Sequence, residues 1–467
     1  MGWSKQELIT ATGGKILRDG KQMGFGEIVT DSSKAEAGSV FITLKGERHD
    51  GHRFIEDAVR RGAACVILQR VPKKSQAGAA TLIKVRDTLR ALGDLAHYRR
   101  ERIAPKVLAI TGSNGKTTTK EMLAAILEEA SLKGERLCGR VLKTEGNFNN
   151  LVGLPLTLLR LRPSHKIAVV ELGTNHPGEI QRLAEVADPD GGIITSIAGA
   201  HLEGLRSLAG VAREKGALYR NVRVGGAIAL NLDDPWVKRL GMKFKGRKIT
   251  YGKGGSVRAL SSQLDNARGM RFKLQAGSRT CRVRLQYLGQ HNINNALGAA
   301  ALALGAGVDL GAVRRGLAKS RPFAMRMEVD EWNGVGIIND AYNANSASMR
   351  AALQTLAELP CRRRRIAVLG DMLELGKHSA KEHRAVGEAA ARAAIDTLYL
   401  LGNQAPTMRR AAIAHGMRPE QVAVGQDHAD IARQLRKELK KGDWLLVKGS
   451  RGMKMETVLQ ALRSGKA

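Results

Sequence analysis

The stretch KVLAITGSNGKTTTKEMLAAILEEA, residues 106–130, decides the fold. It opens with an apolar run suited to a buried strand and closes with helical spacing. Between them lies a Gly-containing loop, Gly112-Ser113-Asn114-Gly115-Lys116-Thr117-Thr118. A loop in that place aims backbone N–H groups and a helix N-terminus at a phosphate. Lys116 adds a point charge for outer phosphates, and Thr117 a hydroxyl for Mg²⁺. The longer form of this motif has Gly five residues before the second glycine. Ile110 stands there, so the loop is a shortened G-x-x-G-K-T.

Working outward, further apolar runs alternate with helical stretches: KIAVVELG (166–173), GGIITSIA (191–198) and GAIALNL (226–232). That alternation predicts a parallel sheet with crossover helices. Residues 252–288 switch to period-two patterns, RFKLQ and CRVRLQYLG, which predict antiparallel strands, and NINNALGAAALALGAG (292–307) predicts a closely packed helix. Upstream, SVFITLKG (39–46) reads as a strand, FIEDAVRRGA (54–63) as a helix, ACVIL (64–68) as a buried strand and TLRALGDLAHYRRERI (88–103) as a helix running to Pro105. Downstream, VGIIND (335–340), RIAVLGDM (365–372), TLYLLG (397–402) and DWLLVKGS (443–450) are four strand candidates of a second doubly wound unit.

At about 150 residues per domain, 467 residues give two to four domains. We divide the chain into 1–103, 104–318 and 319–467. With 43% hydrophobic and 26% charged residues the chain is globular, which excludes a disordered or collagen-like protein. Only 4% is aromatic, which argues against a single-strand nucleic-acid platform of stacking rings. Cys65, Cys138, Cys281 and Cys361 form no Cys-x-x-Cys pair, so a zinc ribbon is excluded and buried free thiols are expected. The polar start MGWSKQELIT is no signal peptide, and no run of 18 apolar residues occurs, so a cytoplasmic protein is expected. The net charge of +32 fits either a surface for nucleic acid or anionic membrane, or a proteome-wide basic bias with positive clefts for small acidic substrates. The one dense run, Arg362–Arg365, reads as a solvated loop ahead of a strand.

Polar groups collect at the carboxyl ends of these strands, where ligands bind in parallel sheets. They are Glu171, His201 in AGAHLEGL, Asp340 in NDAYNANSASM, Asp371 in GDMLELG, and Lys448-Gly449-Ser450-Arg451. A carboxylate there suits Mg²⁺, and a histidine suits it less. Lys215, on a predicted helix, reads as a solvated surface lysine, and His378 and His383 as surface residues.

Together these segments resemble the Mur ligases, the ATP-dependent amide-forming enzymes of peptidoglycan synthesis. The resemblance runs over nearly the whole chain: TDSSKAEAGSVFITLKGERHDGH, TGSNGKTTTKEM, GNFNNLVGLPLTLL, VELGTNHPGEI, AHLEGLRSLAGVAREKG, GQHNINNALGAAALA, INDAYNANSASM, GDMLELG and VKGSRGMKME. GNFNN and NDAYNANSASM are those of the member that joins D-alanyl-D-alanine to UDP-N-acetylmuramoyl-tripeptide. The implied α/β architecture has three domains: a smaller N-terminal one for the UDP end, a central P-loop-type ATPase with a mainly parallel sheet, and a Rossmann-like C-terminal one.

By this resemblance Gly112, Ser113, Asn114, Gly115, Lys116, Thr117 and Thr118 hold phosphates, and Asn295, Arg326 and Asp340 reach the nucleotide. Thr117, Glu171 and His201 hold Mg²⁺, and Lys215 matches a carbamylated lysine that binds a second one. Lys116, Glu171, His201 and Lys215 are the implied catalytic set. Ser32, Lys45, Gly46, Asp50 and His52 match the UDP-sugar region, Asn147, Asn149 and Asn150 the muramoyl-peptide segment, and Asn343, Lys448 and Ser450 the substrate side of the C-terminal domain. Met325 replaces the family's usual glycine before Arg326, so a different local turn is expected. Ser33 stands where Arg or Lys often follows the Asp-Ser pair. ATP and Mg²⁺ are the implied cofactors, and a monomer without nucleic-acid or membrane partners is expected. The alternatives are another Mur-type or folylpolyglutamate-like ligase and, from a different class, a basic nucleic-acid-binding NTPase.

Overall fold

The computed structural model describes residues 2–46, 49–71, 77–265 and 268–465. The Glu47-Arg48 pair of LKGERHDGH lies outside the described residues. The chain forms two compact units. One holds Met1–Ala109, Gly139–Gly173 and Gln181–Pro189, the other Ile110–Cys138, Thr174–Ile180 and Asp190–Ala467.

In the first unit, five strands run in the order Lys15–Arg18, Thr81–Lys84, Cys65–Leu68, Val40–Ile42, Ile28–Val29. The first pairs antiparallel and the rest parallel. Both faces are covered, so successive residues serve different cores. Val40, Ile42, Cys65 and Ile67 pack with Leu92 and Leu95 of the helix Thr88–Ile103, whereas Phe41, Val66 and Leu68 pack with Ile55 and Ala58. That helix starts where Asp87 accepts from the Arg90 N–H at 3.0 Å, and it stops at Ala104, which is left-handed before Pro105. Val141–Lys143 pairs parallel with the fully buried strand Ile167–Glu171.

In the second unit, Gly191–Ile194, Ala227–Asn231, Arg247–Tyr251 and Val257–Leu264 pair in parallel succession. The hairpin strands Met270–Ala276 and Arg279–Leu285 continue antiparallel. A second sheet has the order Glu328–Trp332, Val335–Asp340, Trp444–Lys448, Arg365–Gly370, Thr397–Leu401, Val422–Val424. All its pairs are parallel except the first.

Several expectations need correction. The strand expected at 39–46 is only Val40–Ile42, and the helix expected at 54–63 is Ile55–Arg60 after a 3-10 turn. The last sheet has six strands, not four. The missed Glu328–Trp332 is a half-exposed, acidic edge strand with little apolar signal, although Asn333-Gly334 is a strong hairpin-turn pair. Cys65 is buried, but Cys138 is exposed and Cys281 and Cys361 are intermediate. Lys215 is not a surface lysine, because its helix turns it inward to 1% exposure. His383 is fully buried. Its Nε2 accepts the Met372 N–H at 2.9 Å, which holds the GDMLELG segment. Of Arg362–Arg365 the first two are exposed. Arg364, however, donates to Asp443 at 2.9 Å, and Arg365 is half-buried at the start of its strand.

Candidate active site

The strand Lys106–Thr111 delivers the chain into the loop 112–118, and the helix Lys116–Glu128 leaves it. Two glycines fix the loop's shape. Gly112 has φ 151°, and a Cβ there would fall 1.9 Å from Thr195 Oγ1. Gly115 has φ 78°, and a Cβ there would fall 2.2 Å from Asn295 Oδ1. Neither position admits a larger residue without displacing a neighbour. The loop is pinned to the end of the next strand. The Ser113 N–H donates to Ser196 O at 2.8 Å, Ser113 Oγ to Ala198 O at 3.0 Å, and the Asn114 N–H to Ser196 Oγ at 3.2 Å. Lys116 Nζ donates to Gly112 O at 2.8 Å. Ile110 is buried in the strand, which is why the shortened motif begins after it.

Ser113, Asn114, Gly115, Lys116, Thr117 and Thr118 line a cavity of about 310 Å³ together with Asn295, Arg326, Asp340, Asn343 and Lys448. Residues more than 200 positions apart in the chain thus share one pocket. The sheet register explains part of it, because Asp340 lies directly across from Lys448 on adjacent parallel strands. Lys448 Nζ reaches Asp340 Oδ2 at 2.5 Å and Asn343 O at 3.0 Å. Asn343 and Lys448, which the resemblance assigns to substrate binding, sit in the wall of this cavity. Ser450 is buried beneath it, with its hydroxyl accepting from the Leu373 N–H at 2.9 Å. The guanidinium of Arg326 lies 4.1 Å over the Tyr342 ring, and its buried Nε has no hydrogen-bond partner.

Met325 occupies a backbone position suited to glycine. Its φ is 59°, the left-handed region a glycine would occupy without strain, so the turn forms with a side chain present. That conformation costs about 1–2 kcal/mol for a non-glycine residue.

Sequence reasoning missed Thr195, Ser196, His291, Tyr342 and Asn345 as wall residues. Thr195 and Ser196 carried a signal, since they follow a strand at its carboxyl end. Asn345 carried none: its Nδ2 donates to Asn114 Oδ1 at 2.7 Å, a contact across 231 residues. Burial holds the His291 imidazole below its ordinary 6.5.

His201 lies outside this cavity. It adopts φ 55° before the short helix Leu202–Leu205, and its Nδ1 is 2.6 Å from Glu374 Oε2. That bond holds the Glu374 carboxyl below its usual range.

In the first unit, Glu171 is buried at the end of its strand and accepts from Asn149 Nδ2 at 2.8 Å. The Asn150 Oδ1 caps the next helix, accepting from the Gly153 N–H at 2.8 Å, while Asn147 stays exposed. Lys45 and Asp50 form an antiparallel backbone bridge, and the Gly46 N–H donates to His49 O at 2.9 Å. His52 spends its Nε2 on the N–H groups of Gln69 and Arg70, and its Nδ1 faces Asp50 at 2.7 Å. That last bond draws the Asp50 carboxyl below its ordinary value. Ser32 opens a 3-10 turn capped by Asp31, and Ser33 Oγ donates to the same aspartate at 2.8 Å.

Three family models match: Mur ligase family, catalytic domain, over residues 25–100; Mur ligase middle domain over 110–303; and Mur ligase, glutamate ligase domain over 325–451. The UDP-N-acetylmuramoyl-tripeptide–D-alanyl-D-alanine ligase of Haemophilus influenzae is 37% identical over 94% of this chain and 93% of that protein. The chain belongs to the Mur ligase family. The protein of the same name from Escherichia coli is also 37% identical, over 93% of each chain. A crystal structure of MurF from Acinetobacter baumannii superposes with a TM-score of 0.91 at 34% identity over 99% of both chains. MurF ligase from Thermotoga maritima in complex with ADP gives 0.83 at 27% identity over 94% of this chain and 97% of that one. Folylpolyglutamate synthase of Mycobacterium tuberculosis, at 17% identity and 0.63, shares the fold alone. This Mur ligase therefore has the α/β architecture of N-terminal, middle and C-terminal domains.

Proposed function

We infer that this Mur ligase joins D-alanyl-D-alanine to UDP-N-acetylmuramoyl-tripeptide with ATP, giving the UDP-muramoyl-pentapeptide, ADP and phosphate. The observation that carries it is the single cavity joining the phosphate loop to Arg326, Asp340 and Lys448, in a chain 37% identical to ligases of that name. A carboxylate is a poor electrophile, so the γ-phosphoryl of ATP passes to the tripeptide's terminal carboxylate and ADP leaves. The dipeptide amine then attacks the acyl carbon, loses a proton, and phosphate leaves. The protein's work is positioning and charge neutralisation. The loop N–H groups and Lys116 hold the phosphates, and Asn295, Arg326 and Asp340 hold the nucleoside side.

Mg²⁺ is proposed for Thr117, Glu171 and His201 on the family resemblance; within its own unit the Glu171 carboxylate is buried and oriented by Asn149, as an oxygen ligand for such an ion would be. Such an ion takes one or two protein ligands and completes its shell with phosphates and water, and it would neutralise charge on the transferring group. Lys215 is proposed as a carbamate ligand. Its burial removes the reading of a solvated lysine. Ser32, Lys45, Gly46, Asp50 and His52 are proposed for the UDP end, with His52 shaping the loop rather than touching substrate. Asn147, Asn149 and Asn150 are proposed for the muramoyl peptide. Three separate family matches support the domain limits 1–103, 104–318 and 319–467. A cytoplasmic monomer is proposed; no helix among the described residues is long and apolar enough to cross a membrane.

The test is phosphate release from ATP with purified UDP-muramoyl-tripeptides, with and without D-alanyl-D-alanine. Release that needs both partners and stops with a chelator is expected. Hydrolysis stimulated by DNA and indifferent to the tripeptide would overturn the reading.

A further inference from the structure

The hairpin that ends the middle sheet carries charge the ligase reaction does not use. Residues 257–285 hold seven Arg and Lys against one carboxylate, Asp265. The strand pattern sorts them onto one side. Phe272, Leu274, Val283 and Leu285 are buried on the inner face, while Arg271, Lys273, Arg282 and Arg284 are exposed on the outer one. The register makes this costly. Arg271 stands directly opposite Arg284, and Lys273 directly opposite Arg282. Like charges facing each other across antiparallel strands destabilise a sheet. Asp265 relieves the first pair, meeting Arg271 at 2.7 Å and also bonding Arg284. Among the described residues no carboxylate pairs with Lys273 or Arg282. Arg258 extends the same face from the neighbouring strand, opposite Gln275. A charge placed only to prevent edge pairing would sit on the edge strand. Here the inner strand Met270–Ala276 carries two cations on this face, Arg271 and Lys273, as many as its hairpin neighbour with Arg282 and Arg284.

We propose that this outer sheet face docks on anionic lipid headgroups. Adjacent strands are about 5 Å apart and alternate residues about 7 Å, so the four central cations form a compact, nearly flat array. A bilayer leaflet is flat on that scale and offers every cation a phosphate at once, whereas a nucleic-acid duplex curves away. Ser261 and Gln263 fill the rest of the face opposite Lys273 and Arg271, with no aromatic ring to stack on a base. Leu260, in the bulge of that strand, is 47% exposed and can enter the headgroup layer.

The experiment is co-sedimentation of the full chain with phosphatidylcholine vesicles, with and without about 30% phosphatidylglycerol, at low and physiological salt. Binding to the anionic vesicles alone, weakening with salt, is expected. Lys273→Gln/Arg282→Gln should lower it roughly twentyfold while leaving ligase turnover unchanged and thermal stability equal or higher. Lys243→Gln/Lys245→Gln, which removes the same charge from another exposed site, should retain binding. No binding to anionic vesicles, equal loss in both double variants, or tighter binding to duplex DNA than to vesicles would each overturn the proposal.

Discussion

Lys448→Met removes one half of a charge pair that the sheet itself fixes. The Lys448 side chain is 2% exposed and that of Asp340 14%, and their contact is 2.5 Å. After the substitution Asp340 keeps the Met327 N–H at 3.0 Å on Oδ1, but its Oδ2 loses the cation. Stripping the partner from a buried charge costs about 3–5 kcal/mol, and the residual exposure of Asp340 argues for about 3. At roughly 2–4 °C per kcal/mol for a domain of this size, the C-terminal transition should fall by about 6–12 °C. The assay is differential scanning calorimetry of the full chain, with ATP binding measured alongside, since both residues line the cavity proposed for the nucleotide. The double variant Asp340→Asn/Lys448→Met should recover most of the lost stability, because a neutral amide needs no cation. A Lys448→Met transition within about 1 °C of the parent, or a double variant equal to the sum of the singles, would refute the reasoning.

Lys116→Ala should lower turnover by about 10²–10³ with an unchanged unfolding transition, since the lost contact acts on the transferring phosphoryl. Near-parental turnover would remove the loop from the mechanism. Lys215→Ala should be inactive and partly rescued by acetate or formate, which supply the missing carboxylate oxygens; full activity without rescue would contradict the carbamate. His291 is held below 6.5 by burial, so the folded chain binds fewer protons there than the unfolded one. Its contribution to stability is complete above about pH 6.5 and is lost as the pH falls through the folded value. His291→Gln should flatten that slope, measured by denaturant unfolding between about pH 7 and 5.

Some of this protein was determined by its sequence alone. The strand-loop-helix at 106–130, the helix Thr88–Ile103 and the strand Val335–Asp340 were all legible there. Their signals are local: apolar period, helical spacing and glycines in the loop between strand and helix. The family likeness had named eleven of the residues that line the cavity. What only the tertiary structure decided is what meets what. Asn345 reaches Asn114, Lys448 neutralises Asp340, Lys215 and His383 turn inward, and Met325 takes a glycine's conformation. A lone lysine or histidine has the same local pattern on a solvated helix as on a buried one. Its burial is set by which distant element packs over it, and a window of ten residues carries no record of that.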